Sequence, residues 1–206
     1  MMMEKLLIIG AGGHGKVVAD IAKRMNIYRS ILFLDDDEKM LQDNPCVIGC
    51  SRDFQNFIGT SDLFVAIGNN DVRKRQLEIL KSSHASIATL IHPSAVVSDD
   101  VKIGVGTAIM AGSVINPGVR IGEGVIINTC SSVDHDCCIG DYVHIAVGAH
   151  LCGTVDVGKM CMIGAGATVV NNISICDRTI IGAGGVVVDT IKESGIYVGV
   201  PTKKMR

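Results

Sequence analysis

Tryptophan is absent, and only three tyrosines and four phenylalanines occur among 206 residues. With so few large rings, a core must be assembled from Ile, Val, Ala, Gly and Cys, which suits a narrow interior. A net charge of -2 supplies no broad basic field, so nucleic acid is not expected as a partner. Long apolar runs are missing as well. None can span a membrane, and the longest near the N-terminus, residues 6–9, passes straight into glycine without the apolar region of a signal peptide. The eight cysteines include no C-x-x-C pair, and Cys130, Cys137, Cys138, Cys152, Cys161 and Cys176 fall at small-residue positions of a six-residue repeat. Reduced thiols, in a cytoplasmic protein with no membrane partner, are the expectation.

That period is what the chain does have. From residue 91 to 192 an aliphatic side chain returns every sixth position without an insertion, from Ile91, Val97 and Ile103 through to Ile175, Ile181 and Val187. Two positions before each stands a second set, small or β-branched and never charged: Thr107, Ser113, Ser131, Cys137, Ala149 and Cys161 are members. A strict six is neither the 3.6 of a helix nor the 2 of a single strand. It is the period of a short-repeat parallel β-helix. Glycine often follows the aliphatic residue, as in Ile103-Gly104, Ile121-Gly122 and Ile139-Gly140, where freedom at positive φ is expected to turn the chain.

The first 87 residues read differently. Strands expected over 5–9, 31–34, 63–67 and 87–90 alternate with helical patterns over 14–25 and 71–81, the last with Asp71 as its N-cap, and a short variable segment over 46–48 leads to a further helical pattern near 52–57. Alternation of this kind implies a small parallel sheet, a Rossmann-like α/β domain over 1–87, before a β-helix domain over 88–206 that ends in a short tail. Gly10-Ala11-Gly12-Gly13-His14-Gly15 follows the first strand and opens the first helix, the context in which a helix N-terminus holds a phosphate. Asp35 ends the second strand, where a carboxylate can bond a ribose hydroxyl. The motif by itself suggests NAD, but the domain is too short for a second mononucleotide-binding half, and a ligand with one nucleoside fits better. A glycine turn kept only for packing is the bland alternative.

Within the repeat, His135 lies midway between core positions and is flanked by Asp134 and Asp136, so it should project outward. A carboxylate beside an imidazole favours the protonated ring and orients it, as a general base near neutral pH requires; a solvated histidine in an acidic corner is the equal alternative. Cys137 belongs to the inward set, so it is read as structural rather than nucleophilic. His92 is read as a structural or surface residue, and the terminal Lys203, Lys204 and Arg206 as a phosphate contact or a solvated tail.

Seven stretches carry a resemblance along the whole chain: Gly12-Gly13-His14-Gly15, Phe33-Leu34-Asp35-Asp36, Ala66-Ile67-Gly68-Asn69-Asn70, Ile91-His92-Pro93-Ser94-Ala95, Asn128-Thr129, His135-Asp136-Cys137 and Val198-Gly199-Val200-Pro201. With them the chain resembles the bacterial sugar O- and N-acyltransferases of the sialic acid O-acetyltransferase type, hexapeptide-repeat proteins, and particularly their bacillosamine N-acetyltransferase branch. The resemblance implies a left-handed β-helix with three hexads per triangular coil, here a little under six coils. Handedness comes from the resemblance alone, since the general rule favours right-handed crossovers.

It further implies a homotrimer with acetyl-CoA in the groove between prisms and a nucleotide-activated amino sugar on the N-terminal domain. Carried over, His135 is the general base and Asp136 the acid that raises its basicity, where the bacillosamine enzymes have Glu. Asn128 lies near the reacting sugar, while Gly12, Gly13, His14, Asp35, Asp36 and Gly68 line the nucleotide-sugar pocket. His144, Gly153, Ala165 and Ala183 fall where the family contacts acetyl-CoA. With eighteen residues per coil, Gly153 stacks one coil from His135, and His144 and His150 sit on different faces, so no metal is expected. The function implied is N-acetylation of a nucleotide-linked amino sugar; O-acetylation of sialic acid or a related sugar, and a non-catalytic nucleotide-sensing trimer, are the alternatives.

Overall fold

The computed structural model describes residues 3–205, and the chain packs as two units, one ending at Pro93 and the other beginning at Ser94. In the first unit, β1 (Met3–Ile9), β2 (Tyr28–Leu34) and β3 (Asp62–Val65) form a parallel sheet in the order β2-β1-β3. Single-residue bridges widen it on both sides, Phe33 to Val47 and Leu63 to Ile87, so the variable segment over 46–48 adds one rung and the strand expected over 87–90 shrinks to one rung in this sheet. Helices α1 (Gly13–Met25) and α3 (Asn70–Ser82) each follow a strand, and a short α2 (Glu38–Asp43), not foreseen in the sequence, follows β2. The expected helix at 52–57 is a 3-10 turn, Ser51–Phe57. Asn69, not Asp71, caps α3: its Oδ1 accepts from Val72 N at 3.0 Å, which leaves Asp71 in the first turn. The core is aliphatic, with Leu6 through Ile9, Val18, Ile21, Leu34, Leu63, Leu77 and Leu80 buried.

The central position of β1 creates a crevice. Its neighbours β2 and β3 lie on opposite sides, so the loops leaving the strand ends diverge and open a gap there.

The second unit is a parallel β-solenoid whose two-residue strands recur every six residues on three faces. The first face runs from Ala108–Ile109 to Ile180–Ile181 and is closed by Ile196–Val198 and the antiparallel Lys203–Lys204. The second runs from Val96–Val97 to Val186–Val187, and the third from Lys102–Ile103 to Ser174–Ile175. Partners in register are eighteen residues apart, as in Ile127 with Ile145 or Val133 with Leu151. From Ile109 onward no ladder residue is more than 5% exposed, while Val97 and Ile103 in the first coil are half-buried. Each buried ladder side chain contributes roughly 1.5–3 kcal/mol.

The second set points inward as well, and its polar members are satisfied by the backbone. Thr107 Oγ1 donates to Gly122 O at 3.0 Å and accepts from Val125 N at 3.1 Å, and Ser113 and Ser131 both donate to Asn128 O. Cys137 and Cys161 do the same with weaker donors, to Cys152 O and Cys176 O. The other repeat cysteines are not inward: Cys138, Cys152 and Cys176 are half-buried and Cys130 is exposed. All eight are free thiols.

The corners correct one expectation. Positive φ does not fall on the glycine after the aliphatic residue but two positions later, at every sixth residue from Gly106 to Gly184. Half of these positions are not glycine: Cys130, Asp136, Tyr142, Thr154, Met160, Asn172 and Arg178. From Gly124 onward each corner is held by the coil before it, because the left-handed residue's N–H reaches a carbonyl nineteen residues back, as Asp136 N to Pro117 O at 3.0 Å and Thr154 N to His135 O at 2.9 Å; at Gly118 the N–H reaches Asp100 Oδ2 instead. The glycines after the aliphatic residues serve close stacking instead. A Cβ on Gly140 would lie 2.7 Å from Lys159 N and 2.9 Å from Gly158 C in the next coil.

These two roles separate experimentally. Gly140→Ala should cost about 2–3 kcal/mol or more, as overpacking against backbone, whereas Gly148→Asn, at a left-handed corner with open space around it, should cost under about 1 kcal/mol. Urea unfolding of both variants checks the contrast; equal losses would contradict it.

Candidate active site

His135 stands at the corner between the second and third faces, between the strands Ser132–Val133 and Cys138–Ile139. Its Nδ1 lies 2.9 Å from Asp136 Oδ2. The shorter Asp reaches because residue 136 is the left-handed corner residue, at φ +59°, a conformation Asp tolerates better than most side chains. An ionised carboxylate only accepts, so Nδ1 carries the proton and Nε2 is left with its lone pair. The Asp136 hydrogen bond, assisted by the charge of Asp134, holds the imidazole above its ordinary pKa of 6.5. Both side chains are open to ligand, 58% and 67% exposed.

Stacking on either side fixes this pair. The carboxylate of Asp136 occupies space that a side chain on Gly118 would take, since a Cβ there would lie 2.5 Å from Oδ1. On the other side the imidazole lies against Gly153, where a Cβ would be 2.5 Å from Nε2 and 2.6 Å from Cε1. Asp134 faces the coil before it, its Oδ1 accepting from Asn116 Nδ2 at 2.6 Å and from His135 N at 2.8 Å. Those bonds hold its carboxyl below the usual range, the Asn116 amide first.

Cys137, two residues on, is no nucleophile. Burial pushes its thiol up to about 11, and its Sγ is engaged by Cys152 O and Val155 N.

The remaining residues expected in the solenoid form other groups. Asn128 and His144 meet on the first face, Nδ2 to Nε2 at 3.1 Å. His150 lies on the second face, its Nδ1 2.8 Å from Ser132 Oγ, so the two histidines are on different faces. Ala165 and Ala183 are exposed corner residues in successive coils, joined by Gly184 N to Ala165 O at 2.8 Å, in the column that also holds Ala111, Thr129 and Val147. Within one chain, therefore, the corner of His135 and Gly153 is distinct from the face and corner that carry the other four. No cluster of His, Cys, Asp and Glu able to hold a metal occurs among the described residues.

In the first unit a cavity of about 350 Å³ lies at the strand ends where the sheet order diverges. Gly12, Asp35, Asp36 and Gly68 line it; Gly13 and His14 do not. The glycine motif divides by role. Gly10, at φ +105°, and Gly15 are packing glycines: a Cβ on Gly10 would be 2.8 Å from Ala66 O, and one on Gly15 would collide with Gly10 O. Gly12 and Gly13 meet nothing within 4 Å, so the backbone there is open to a ligand. Gly12 caps α1 without a side-chain bond and no acidic residue occupies the first turn, an arrangement that suits an anion at the helix N-terminus.

The acidic residues brace the cavity. Asp35 accepts from Ala11 N at 2.6 Å and Asp37 N at 2.9 Å, and Asp36 from Ser51 N and Oγ, both at 2.8 Å. His14 is held neutral, its pKa lowered to about 4 by burial and then by Arg73, and its buried Nε2 has no hydrogen-bond partner among the described residues.

Arg73 is a member of the site that the sequence pattern did not single out. It is 1% exposed and donates to Ile67 O, Gly68 O and Asn70 Oδ1, pinning the loop that closes the cavity. An arginine sharing a helix face with Leu77 and Leu80 was its signal. Asn116 and Gly118 were missed too, though each is found by counting eighteen residues back from Asp134 and Asp136. His92, in turn, is buried.

Comparison with known proteins agrees with this layout. Residues 5–80 match the family model of the PglD N-terminal domain. Over 112 residues the chain is 36% identical to UDP-N-acetylbacillosamine N-acetyltransferase of Bacillus subtilis (strain 168), a match covering 51% of this chain and 50% of that protein. The chain thus matches about half the length of that curated relative. The acetyltransferase domain of PglB from Neisseria gonorrhoeae FA1090, solved in complex with acetyl coenzyme A, superposes with a TM-score of 0.93 at 38% identity over 98% of this chain and 99% of that one. PerB from Caulobacter crescentus, in complex with CoA and GDP-perosamine, gives 0.92 at 38% identity over 99% and 98%.

Two histidines should titrate oppositely. By NMR, His135 is expected to ionise above 6.5, and Asp136→Asn to bring it down, because the hydrogen bond that stabilises the imidazolium is lost. His14 should stay neutral from pH 8 down to its ionisation near about 4. A His135 pKa unchanged by Asp136→Asn would contradict the pairing.

Proposed function

The chain belongs to the acetyltransferase family represented by PglB and PerB, and from that membership we propose that it transfers the acetyl group of acetyl-CoA to the amine of a nucleotide-linked amino sugar. The observation that carries the reading is the bond from His135 Nδ1 to Asp136, which leaves Nε2 as an open base beside Gly153. The cavity of the first unit, with its free helix N-terminus, supports a nucleotide diphosphate as the handle of the acceptor. Relatives bear on it too: PerB was solved with CoA and GDP-perosamine, and the Bacillus protein is named for a UDP-linked acceptor.

The reaction needs no acyl-enzyme. The amine nitrogen attacks the thioester carbonyl while His135 Nε2 takes its proton; the C–S bond then breaks, and the CoA thiolate recovers a proton from the imidazolium, which returns the base to its neutral form. Asp136 keeps the ring in the required tautomer throughout. The Gly153 N–H, which makes no hydrogen bond among the described residues, is the assigned donor to the tetrahedral oxyanion. Asn128 and His144 would contact the sugar and acetyl-CoA, and Ala165 and Ala183 the pantetheine arm, where their small exposed side chains leave the corner open.

The same positions support the homotrimer that the family resemblance implies. His135 and Gly153 occupy one corner of the prism and the remaining contacts another face and corner, so a single acetyl-CoA spans both sets when one prism packs against the next. Light scattering on the eluted protein should give three chains, and a monomer or dimer with full activity would sink this part.

Turnover with acetyl-CoA and a panel of UDP-, GDP- and dTDP-linked amino sugars, read by product mass, tests the reaction. His135→Ala should lower kcat by about 10²- to 10⁴-fold with acetyl-CoA binding retained. The rate should rise with pH through the raised His135 pKa, since only the neutral ring accepts a proton, and Asp136→Asn should move that limb to lower pH. Absence of an N-acetylated product from every amine, or a His135→Ala variant at full rate, would overturn the proposal.

A further inference from the structure

The cavity in the first unit offers few polar groups that are free to read a ligand. Asp35 already accepts from two backbone N–H groups, and Asp36 accepts from both the N–H and the hydroxyl of Ser51. The Gly68 carbonyl receives Arg73. Gln76 differs. It lines the same cavity, is half-buried, and its amide makes no hydrogen bond among the described residues. The amide is not among the buried unpartnered groups of the described residues, so solvent reaches it and a ligand can take the place of that water.

Its setting suits a nucleobase. Gln76 follows Val72 by one helical turn on α3, so both project to the same side of the helix, along the border of the buried face formed by Arg73, Leu77 and Leu80. Ile67 and Val72 add apolar wall, and the cavity of about 350 Å³ has room for a nucleoside rather than for a whole nucleotide-sugar. With phosphates at the glycine-lined N-terminus of α1, the nucleoside would run along the cavity towards the α3 side, where the base would meet Gln76. An amide presents a donor and an acceptor side by side, the complement of the adjacent acceptor and donor on a base edge.

We propose that Gln76 reads the base edge of the nucleotide-sugar and sets which nucleoside diphosphate the protein accepts. This rests on the nucleotide-sugar reading of the proposed function. It adds a specificity residue to that pocket and no step to the chemistry, because Gln76 stands in the first unit and His135 in the second.

The test is calorimetric titration of the full chain with UDP, GDP, CDP, dTDP and ADP, for the native protein, Gln76→Leu and Gln76→Glu, with melting temperature as the control for folding. The native protein should prefer one base by at least about 10-fold. Gln76→Leu should weaken the preferred diphosphate by roughly 10- to 100-fold, the worth of two hydrogen bonds, and bring the five affinities close together. Gln76→Glu, which trades the donor for a second acceptor, should penalise the preferred base as strongly. With the matching amino sugar, KM should rise in Gln76→Leu while kcat at saturation stays within about 2-fold of native. A preference retained in Gln76→Leu, or a fall in kcat without a rise in KM, overturns the assignment of Gln76 alone. A native protein that binds none of the five overturns the nucleotide-sugar reading and this inference with it.

Discussion

Everything at the candidate site depends on one constraint, that each coil must lie directly on the next, eighteen residues on, with no insertion. Parallel strands only two residues long can hold so narrow a prism because their neighbours in register supply both hydrogen bonds and an aliphatic ladder. The same register sets the surroundings of His135 on three levels. Asn116 and Gly118 lie one coil before, Asp134 and Asp136 beside it, and Gly153 and Thr154 one coil after. The His135-Asp136 peptide is held from both sides, its N–H to Pro117 O and its preceding carbonyl to Thr154 N. A base on such a support needs no separate scaffold to orient it.

The corners explain why the acid can be an aspartate. A left-handed residue recurs at every sixth position, and Asp136 is one of them. That turn folds the carboxylate back over its own neighbour, so the shorter side chain closes on Nδ1 at 2.9 Å where an extended backbone would carry it away. Backbone conformation here takes the place of side-chain length. Room for the carboxylate comes from Gly118, and room for the imidazole from Gly153, so two glycines that look like ordinary members of the repeat define the shape of the site.

In the first unit the division of labour is between groups that brace and groups that remain open. Asp35 and Asp36, which line the cavity, also tie loops together, and the buried Arg73 ties another. The open elements are the α1 N-terminus, the backbone at Gly12 and Gly13, and a few uncommitted side chains. Burial and Arg73 together keep His14 uncharged, so an imidazole rather than an imidazolium is presented there.

The solenoid was legible in the residue order. A period of six with no charge at two inward positions admits one kind of interior, and it placed His135 outside and Cys137 inside from spacing alone, while the eighteen-residue coil of the resembled family put Gly153 one coil away. The parallel sheet of the first unit was legible too, since strands alternating with helices leave little else. Folding settles whatever depends on partners distant in the chain or on dihedral angles. Which residue of the hexad turns through positive φ, which glycines exist for close approach, how Asp136 reaches Nδ1, and whether a carboxylate is free or already bonded emerge only from the folded backbone and its stacked neighbours. A linear pattern records which side of a strand is buried, because water imposes that residue by residue. It does not record which polar groups find each other, because that is settled only when the coils are stacked.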